Sequence, residues 1–324
     1  MEYNHTLPVT AESYPNKDTV TQTLNSLFSK ECTGTIQTPN RSIYEFLIED
    51  GNIDMVTVDS FGDEWQAFHG FEEQEIQKLG DEYFDIITPE MLNASTAVLE
   101  VGCGSGRFLK YVSEKAGLVV GVDPSHAIYA ADKLVGVKEN VLLVKASAGD
   151  LPFQDEAFDF VYSIGVLHHI PDTFKALQAC VDKVKKGGYF FTYLYYDLDN
   201  RGFLFRSLFN ASTLLRKGIS KLPGKPKRFV CDLLAVTLYL PFVGLSRFLR
   251  RVGVKEQIRK KIPLFGYENK SFYIIRNDSL DRFGTPLEQR FTRNQIQEMM
   301  ERAGLENIVF SNNIPYWHAV GKKK

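Results

Sequence analysis

Apolar positions follow two alternating rhythms through the middle of this chain. Short, almost continuous apolar runs at 96–101, 118–123, 141–146, 158–163 and 188–195 have the character of strands buried on both faces. Between them, 105–115, 125–134 and 172–186 place apolar residues three and four apart, which is the period of a helix. Strand and helix in alternation predict a parallel sheet covered on both faces, with right-handed crossovers. Upstream the rhythm is weaker. Residues 43–48 and 53–58 flank Glu49-Asp50-Gly51-Asn52, a spacing that predicts a hairpin, and 72–80 has a helical pattern. Past Tyr195 the alternation stops. Residues 200–285 carry Pro and Gly punctuation, basic clusters and one apolar run, 233–245. That run is about thirteen residues long and contains Pro241, against the roughly twenty that a membrane span needs. Helical periodicity returns at 292–303 with Thr292 placed to cap it, and 307–311 and 316–320 are expected to close the sheet as an antiparallel hairpin.

These patterns divide the chain into four parts: an N-terminal extension with a hairpin (1–60), a ligand-binding core (61–199), a basic and apolar insertion (200–285), and a helix plus hairpin completing the core sheet (286–324). A length of 324 residues, 44% of them hydrophobic and 24% charged, can bury a substantial core and excludes disordered and fibrous classes. The four cysteines (Cys32, Cys103, Cys180 and Cys231) form no C-x-x-C pair, so neither a disulfide framework nor a metal site is expected. Met1-Glu2-Tyr3-Asn4-His5 has neither a basic start nor an apolar stretch, which points to a cytoplasmic address. The formal charge of −2 hides an asymmetry. Residues 201–261 hold fifteen Lys or Arg against two acids, leaving the rest of the chain strongly acidic.

Chemistry concentrates where the first strand ends. Val98-Leu99-Glu100-Val101 runs into Gly102-Cys103-Gly104-Ser105-Gly106, and the second strand ends in Gly121-Val122-Asp123. Glycines allow positive φ and let a ligand lie against bare main chain. A carboxylate ending the next strand is an acceptor matched to the two hydroxyls of a ribose. The pair describes a nucleoside-bearing ligand at the carboxyl ends of parallel strands. A dinucleotide fingerprint is G-x-G-x-x-G; here the third glycine comes one residue early and Arg107 takes the expected place, which disfavours a nicotinamide oxidoreductase.

Three further motifs follow in order: Asp150-Leu151-Pro152-Phe153, Phe158-Asp159, and Tyr162-Ser163-Ile164-Gly165-Val166-Leu167-His168-His169-Ile170-Pro171-Asp172 leading to Lys186-Gly187-Gly188. With the glycine loop, the chain resembles the class I S-adenosylmethionine-dependent methyltransferases of the bacterial methyltransferase-domain type. The resemblance covers roughly 60–195, and 280–320 more loosely. It implies an α/β, Rossmann-like, doubly wound seven-stranded sheet with an N-terminal extension and a basic, partly helical insertion after strand five. It also implies S-adenosylmethionine as cofactor and a small-molecule methyl acceptor as partner. Glu100, Gly102, Gly104, Gly106, Asp123, Ser147, Ala148 and Ser163 are the expected cofactor residues, although Ser147 stands where such enzymes often carry an Asp. His168 and His169 are the candidates for proton transfer, since neutral imidazole is a base near pH 7. Trp65, Tyr193 and Tyr195 are expected to line the acceptor pocket. A glycan precursor leads as acceptor, because Asp281–Thr292 and Pro315-Tyr316-Trp317 resemble methyltransferases of polysaccharide-type pathways. A quinone or other lipid-linked acceptor and a non-catalytic cofactor-binding protein are the alternatives. The basic stretch 201–261 suits an anionic membrane surface at the inner face of the membrane, or a solvated lid, and nucleic acid is disfavoured because no RNA-binding module is recognisable.

Overall fold

The computed structural model describes residues 27–48, 51–67, 70–198 and 202–324. Among these described residues nine strands form one sheet: β1 (Gly34–Gln37), β2 (Ser42–Glu45), β3 (Ala97–Val101), β4 (Leu118–Val122), β5 (Val141–Lys145), β6 (Phe158–Ile164), β7 (Val184–Tyr193), β8 (Leu305–Phe310) and β9 (His318–Lys323). The order is β1-β2-β5-β4-β3-β6-β7-β9-β8. Strands β2 to β7 pair in parallel, while β9 runs antiparallel to both β7 and β8. The seven strands from β5 to β8 make the doubly wound core, and the β1–β2 hairpin adds two more at its edge. The order in which successive strands are laid down reverses between β3 and β6, so the crevice at their carboxyl ends is where a ligand belongs.

Alternation along each strand sends neighbouring side chains to opposite faces. Leu99 and Val101 join Val120, Val122, Val144 and Val161 on one face, covered by the helices Thr173–Asp182 and Arg293–Arg302. Val98 joins Val119, Leu143, Phe160 and Phe191 on the other, under Glu73–Tyr83, Arg107–Ser113 and Ala127–Val135. Thr292 caps its helix as expected: its hydroxyl accepts from the Gln295 N–H at 3.2 Å, and the Gln295 side chain accepts the Thr292 N–H at 2.8 Å. Packing between Glu73–Tyr83 and Arg107–Ser113 depends on Gly80, where an added Cβ would sit 2.2 Å from the Tyr111 ring. Gly80→Ala is expected to cost about 1–3 kcal/mol through overpacking. Urea unfolding checks this; an unchanged midpoint would mean that Tyr111 swings aside.

Two expectations are corrected. The hairpin lies at 34–45, earlier than 43–58, and Met55–Ala67 is a helix, so 53–58 supplies no strand. Asp54 explains the switch, because its carboxylate accepts the N–H of Val56 and of Thr57 and so starts that helix. The apolar run 233–245 is likewise only part of a longer element. Gly224–Leu234 continues through a π-helical turn, Ala235–Tyr239, into Leu240–Arg251, making one helix of 28 residues. Pro241 lacks an N–H and crowds the preceding turn; it follows directly on the wider π turn, which accommodates that missing donor without ending the helix.

The insertion is a helical cap. Phe203–Ile219, Gly224–Arg251 and Phe272–Gly284 pack over the carboxyl ends of the strands around a small core of Cys231, Ala235, Tyr239, Val243, Ile275, Leu280 and Phe283.

Candidate active site

A cavity of about 600 Å³ lies between the strand ends and this cap. Its floor is the glycine loop. Gly102, Gly104 and Gly106 all have positive φ (80°, 51° and 81°), and the N–H groups of Gly102 and Cys103 donate to the Val122 carbonyl at the end of β4. A Cβ at Gly102 would meet Val166 at 2.4 Å, and one at Gly104 would meet the Trp65 indole at 3.0 Å. Bare main chain is therefore the condition for this loop to exist.

Asp123 holds the loop in shape. One carboxylate oxygen accepts the Gly104 N–H at 2.9 Å; the other accepts the Ser125 N–H at 2.9 Å and the Ser125 hydroxyl at 2.6 Å. Burial pushes its pKa above the ordinary carboxylate value, against the pull of those donors. Asp123 still lines the cavity, so it both clamps the loop and presents acceptor lone pairs to a ligand. Glu100 lies beside it, buried, raised in pKa by desolvation, and accepting from the Tyr162 hydroxyl at 2.9 Å. Ser147 and Ala148 line the cavity after β5, and the Ser147 hydroxyl accepts the Gly149 N–H at 3.2 Å. Trp65 covers the loop from the Met55–Ala67 helix, with the Arg107 guanidinium 4.9 Å from its ring centroid.

Three of the expected residues lie outside the cavity wall, and one of them, Gly106, turns the loop against Ala131, which an added Cβ would meet at 2.9 Å. Ser163 is buried in β6, donates to the Val101 carbonyl at 2.9 Å and is not part of the cavity wall; it ties neighbouring strands together. His168 is also outside the cavity, fully buried with its ring 3.9 Å from that of Tyr195, and burial holds its pKa well below the usual value. The strand-to-helix turn after β6 sends its side chain inward, where a cation would be stranded without solvent. His169 does reach the cavity. Its Nδ1 donates to the Leu287 carbonyl at 2.6 Å, and burial lowers its pKa to about 4. At neutral pH it is an uncharged ring, a weak base.

Stronger proton acceptors come from the cap. Asp278 and Asp281 lie three apart on Phe272–Gly284, hence on one face, and both line the cavity. Asp281 accepts from the Tyr195 hydroxyl, while Asp278 accepts from Tyr239 at 2.7 Å and from Tyr267. Burial, joined by repulsion from Asp281 at Asp278 and from Glu288 at Asp281, pushes both up to about 6. Arg290 stands beside them, donating to Glu288 at 2.8 Å with its guanidinium 5.1 Å from the Tyr195 ring centroid. Tyr193 lines the wall against Tyr83, with ring centroids 5.2 Å apart. Sequence reasoning missed Asp278 and passed over Asp281 as an acid. The signal was their three-residue spacing on one helical face, but what they face is set only by the folding of the cap.

The floor fits an adenosyl sulfonium ligand on its own geometry: a cradle that any Cβ would fill, two buried carboxylates, and a cavity within the range of small-molecule sites. A family model described as "Methyltransferase domain" matches residues 99–192. The ubiquinone biosynthesis O-methyltransferase of Pseudomonas fluorescens is 33% identical over 104 residues, covering 30% of this chain and 44% of that protein. The tRNA U34 carboxymethyltransferase of Vibrio campbellii is 38% identical over 97 residues, 28% of this chain and 30% of that one. The chain thus matches less than half the length of these curated relatives. Among solved structures, an S-adenosylmethionine-dependent methyltransferase from Mesorhizobium loti is similar, with 13% identity, a TM-score of 0.42, and coverage of 74% of this chain and 95% of that one. Over residues 99–192, the segment that holds the glycine cradle and Asp123, this chain is similar to methyltransferases, and the cradle fits S-adenosylmethionine as the methyl donor.

Proposed function

We propose that this chain methylates a hydroxyl or amine of a small amphipathic molecule. The observation that carries the proposal is a single cavity with two unlike ends. Glu100, Gly104, Asp123, Ser147 and Ala148 line one end; Tyr195, Tyr239, Tyr267, Asp278 and Asp281 line the other. Asp123 would hold the ribose, Ser147 and Ala148 the adenine, and Arg107 would face the methionine carboxylate. S-adenosylmethionine, when bound, supplies a methyl group already activated as a leaving sulfonium. Alignment of the acceptor then provides much of the rate. Asp281 is positioned to take the proton that the acceptor loses, with Tyr195 orienting its carboxylate. His169, with its lowered pKa, would accept a hydrogen bond and stay neutral.

The names of the two relatives describe a quinone pathway and a tRNA, so similarity alone does not choose the acceptor. The cavity wall favours one kind. Leu215, Leu238, Phe242, Ile262, Leu264 and Phe265 line the cap side, an apolar surface suited to a hydrocarbon or aromatic body. A lipid-linked acceptor therefore fits better than a bare glycan precursor. Calorimetry with S-adenosylhomocysteine and with NAD tests the cofactor half, and binding of the first alone is expected. Transfer of labelled methyl into a lipid extract, compared with an aqueous metabolite extract, tests the acceptor half. Absence of affinity for S-adenosylhomocysteine would overturn the proposal; affinity without transfer into either extract would leave a cofactor-binding protein with no enzymatic role.

A further inference from the structure

We propose that the outer face of Gly224–Arg251, with the adjoining end of Phe203–Ile219, lies flat on an anionic lipid bilayer. The helix presents two unlike faces. Cys231, Ala235, Tyr239, Val243 and Ser246 point inward and are buried. Phe229, Leu233 and Val236 point outward three or four apart at the start of the helix, Leu245 and Phe248 three apart beyond the π turn, and each is about half exposed or more, up to 70% for Phe229. Leu214 and Leu215 extend this apolar surface from the neighbouring helix, being 70% and 53% exposed. Contiguous apolar surface of this kind on a folded chain marks a place where something docks.

Charge identifies the occupant. Lys217, Lys221, Lys225 and Arg228 stand at one end of the stripe and Arg250, Arg251, Lys255 and Lys261 at the other, all exposed. An apolar band between two cationic ends matches acyl chains between anionic headgroups, and each cation near such a surface adds to the attraction. A second copy of this face would bring those cations against their own kind.

Gly224–Arg251 is, among the described residues, the one helix long and apolar enough to cross a membrane by length and composition. Its inner face argues for lying on the surface instead. Asp232 makes two hydrogen bonds with Arg276 (2.8 and 2.6 Å), and Arg247 donates to the Glu268 and Lys270 carbonyls at 2.9 and 2.8 Å. Threading the helix through a bilayer would break these contacts and strand the charges. The surface also meets the cavity, since Leu215 is exposed outside and lines the cavity inside.

The test is flotation of the full chain with vesicles of equal parts phosphatidylcholine and phosphatidylglycerol, and with phosphatidylcholine alone. It needs no turnover, so it stands apart from the methyl-transfer proposal. Binding to the anionic vesicles only is expected, weakened at high salt. The triple variant Phe229→Ser, Leu233→Ser, Phe248→Ser and the charge variant Lys221→Glu, Lys225→Glu, Arg251→Glu should each lower partitioning by about tenfold or more. Unchanged circular dichroism and melting would show that both variants fold. Failure to float with anionic vesicles overturns the proposal. So does a concentration-dependent dimer, seen by gel filtration, that the serine variant dissolves, because the face would then be a contact between copies.

Discussion

Asp123→Ala is expected to lower the affinity for S-adenosylhomocysteine by about 2–4 kcal/mol, roughly thirty- to several-hundred-fold. Two losses combine. The variant removes the carboxylate assigned to the ribose hydroxyls, and it releases the Gly104 N–H and both Ser125 donors that shape the loop. Asp123→Asn should lose nearly as much despite its similar size. Every intramolecular partner of Asp123 in the described structure is a donor, so an amide NH₂ would have to face one of them. Titration calorimetry on both variants decides the matter. Equal affinity for wild type and Asp123→Asn would show that the loop keeps its shape without an anion, and the ribose assignment would fall.

The second large effect is expected at Asp281. Asp281→Asn should reduce turnover by about 10²–10³-fold while leaving S-adenosylhomocysteine affinity within about twofold, because its carboxylate bonds to Tyr195 and not to the glycine loop. A pH profile separates proton transfer from positioning. Asp281 accepts a proton only when ionised, and its pKa stands near 6. Wild-type kcat/KM should therefore climb as pH rises through about 6 and level off above it, whereas the variant should lack that limb. Stability runs the opposite way. A carboxylate whose folded pKa is raised contributes most while it is neutral, below its unfolded pKa, and that contribution is lost as pH rises through the folded value. Asp278→Asn and Asp281→Asn are thus expected to melt at higher temperature than wild type at pH 8, with the gap closing toward pH 4. A variant with full activity and an unaltered pH profile would remove Asp281 from the chemistry. Tyr195→Phe should fall between the two, since it frees the carboxylate without removing it.

The cofactor half was legible because its chemistry and its local fold coincide. Gly102, Gly104 and Gly106 alternate within five residues and have positive φ in the structure, and Asp123 follows at the end of the very next strand. No distant residue had to be foreseen. His168 and His169 illustrate the opposite case. They are adjacent in sequence, yet the short 3₁₀ turn Leu167–His169 sends one ring under Tyr195 and the other into the cavity. Ser163 likewise lies on a strand whose alternation turns it into the sheet, and a pattern of period two does not say which face holds the ligand. The hairpin was misplaced because Asp54 caps a helix that the alternating apolar pattern of 53–58 concealed.

What the amino-acid order determined by itself is the doubly wound core and the glycine cradle, since strand period, helix period and positive φ act over a few residues at a time. It also carried the excess of positive charge in 201–261. Tertiary structure alone decided the acceptor end. Asp278 and Asp281 meet Tyr195, Tyr239 and Tyr267 only because the cap folds back over the strand ends, bringing together groups up to 86 residues apart in the chain. Their raised pKa values arise from that burial, and burial is a property of the packed cavity that no local run of residues possesses.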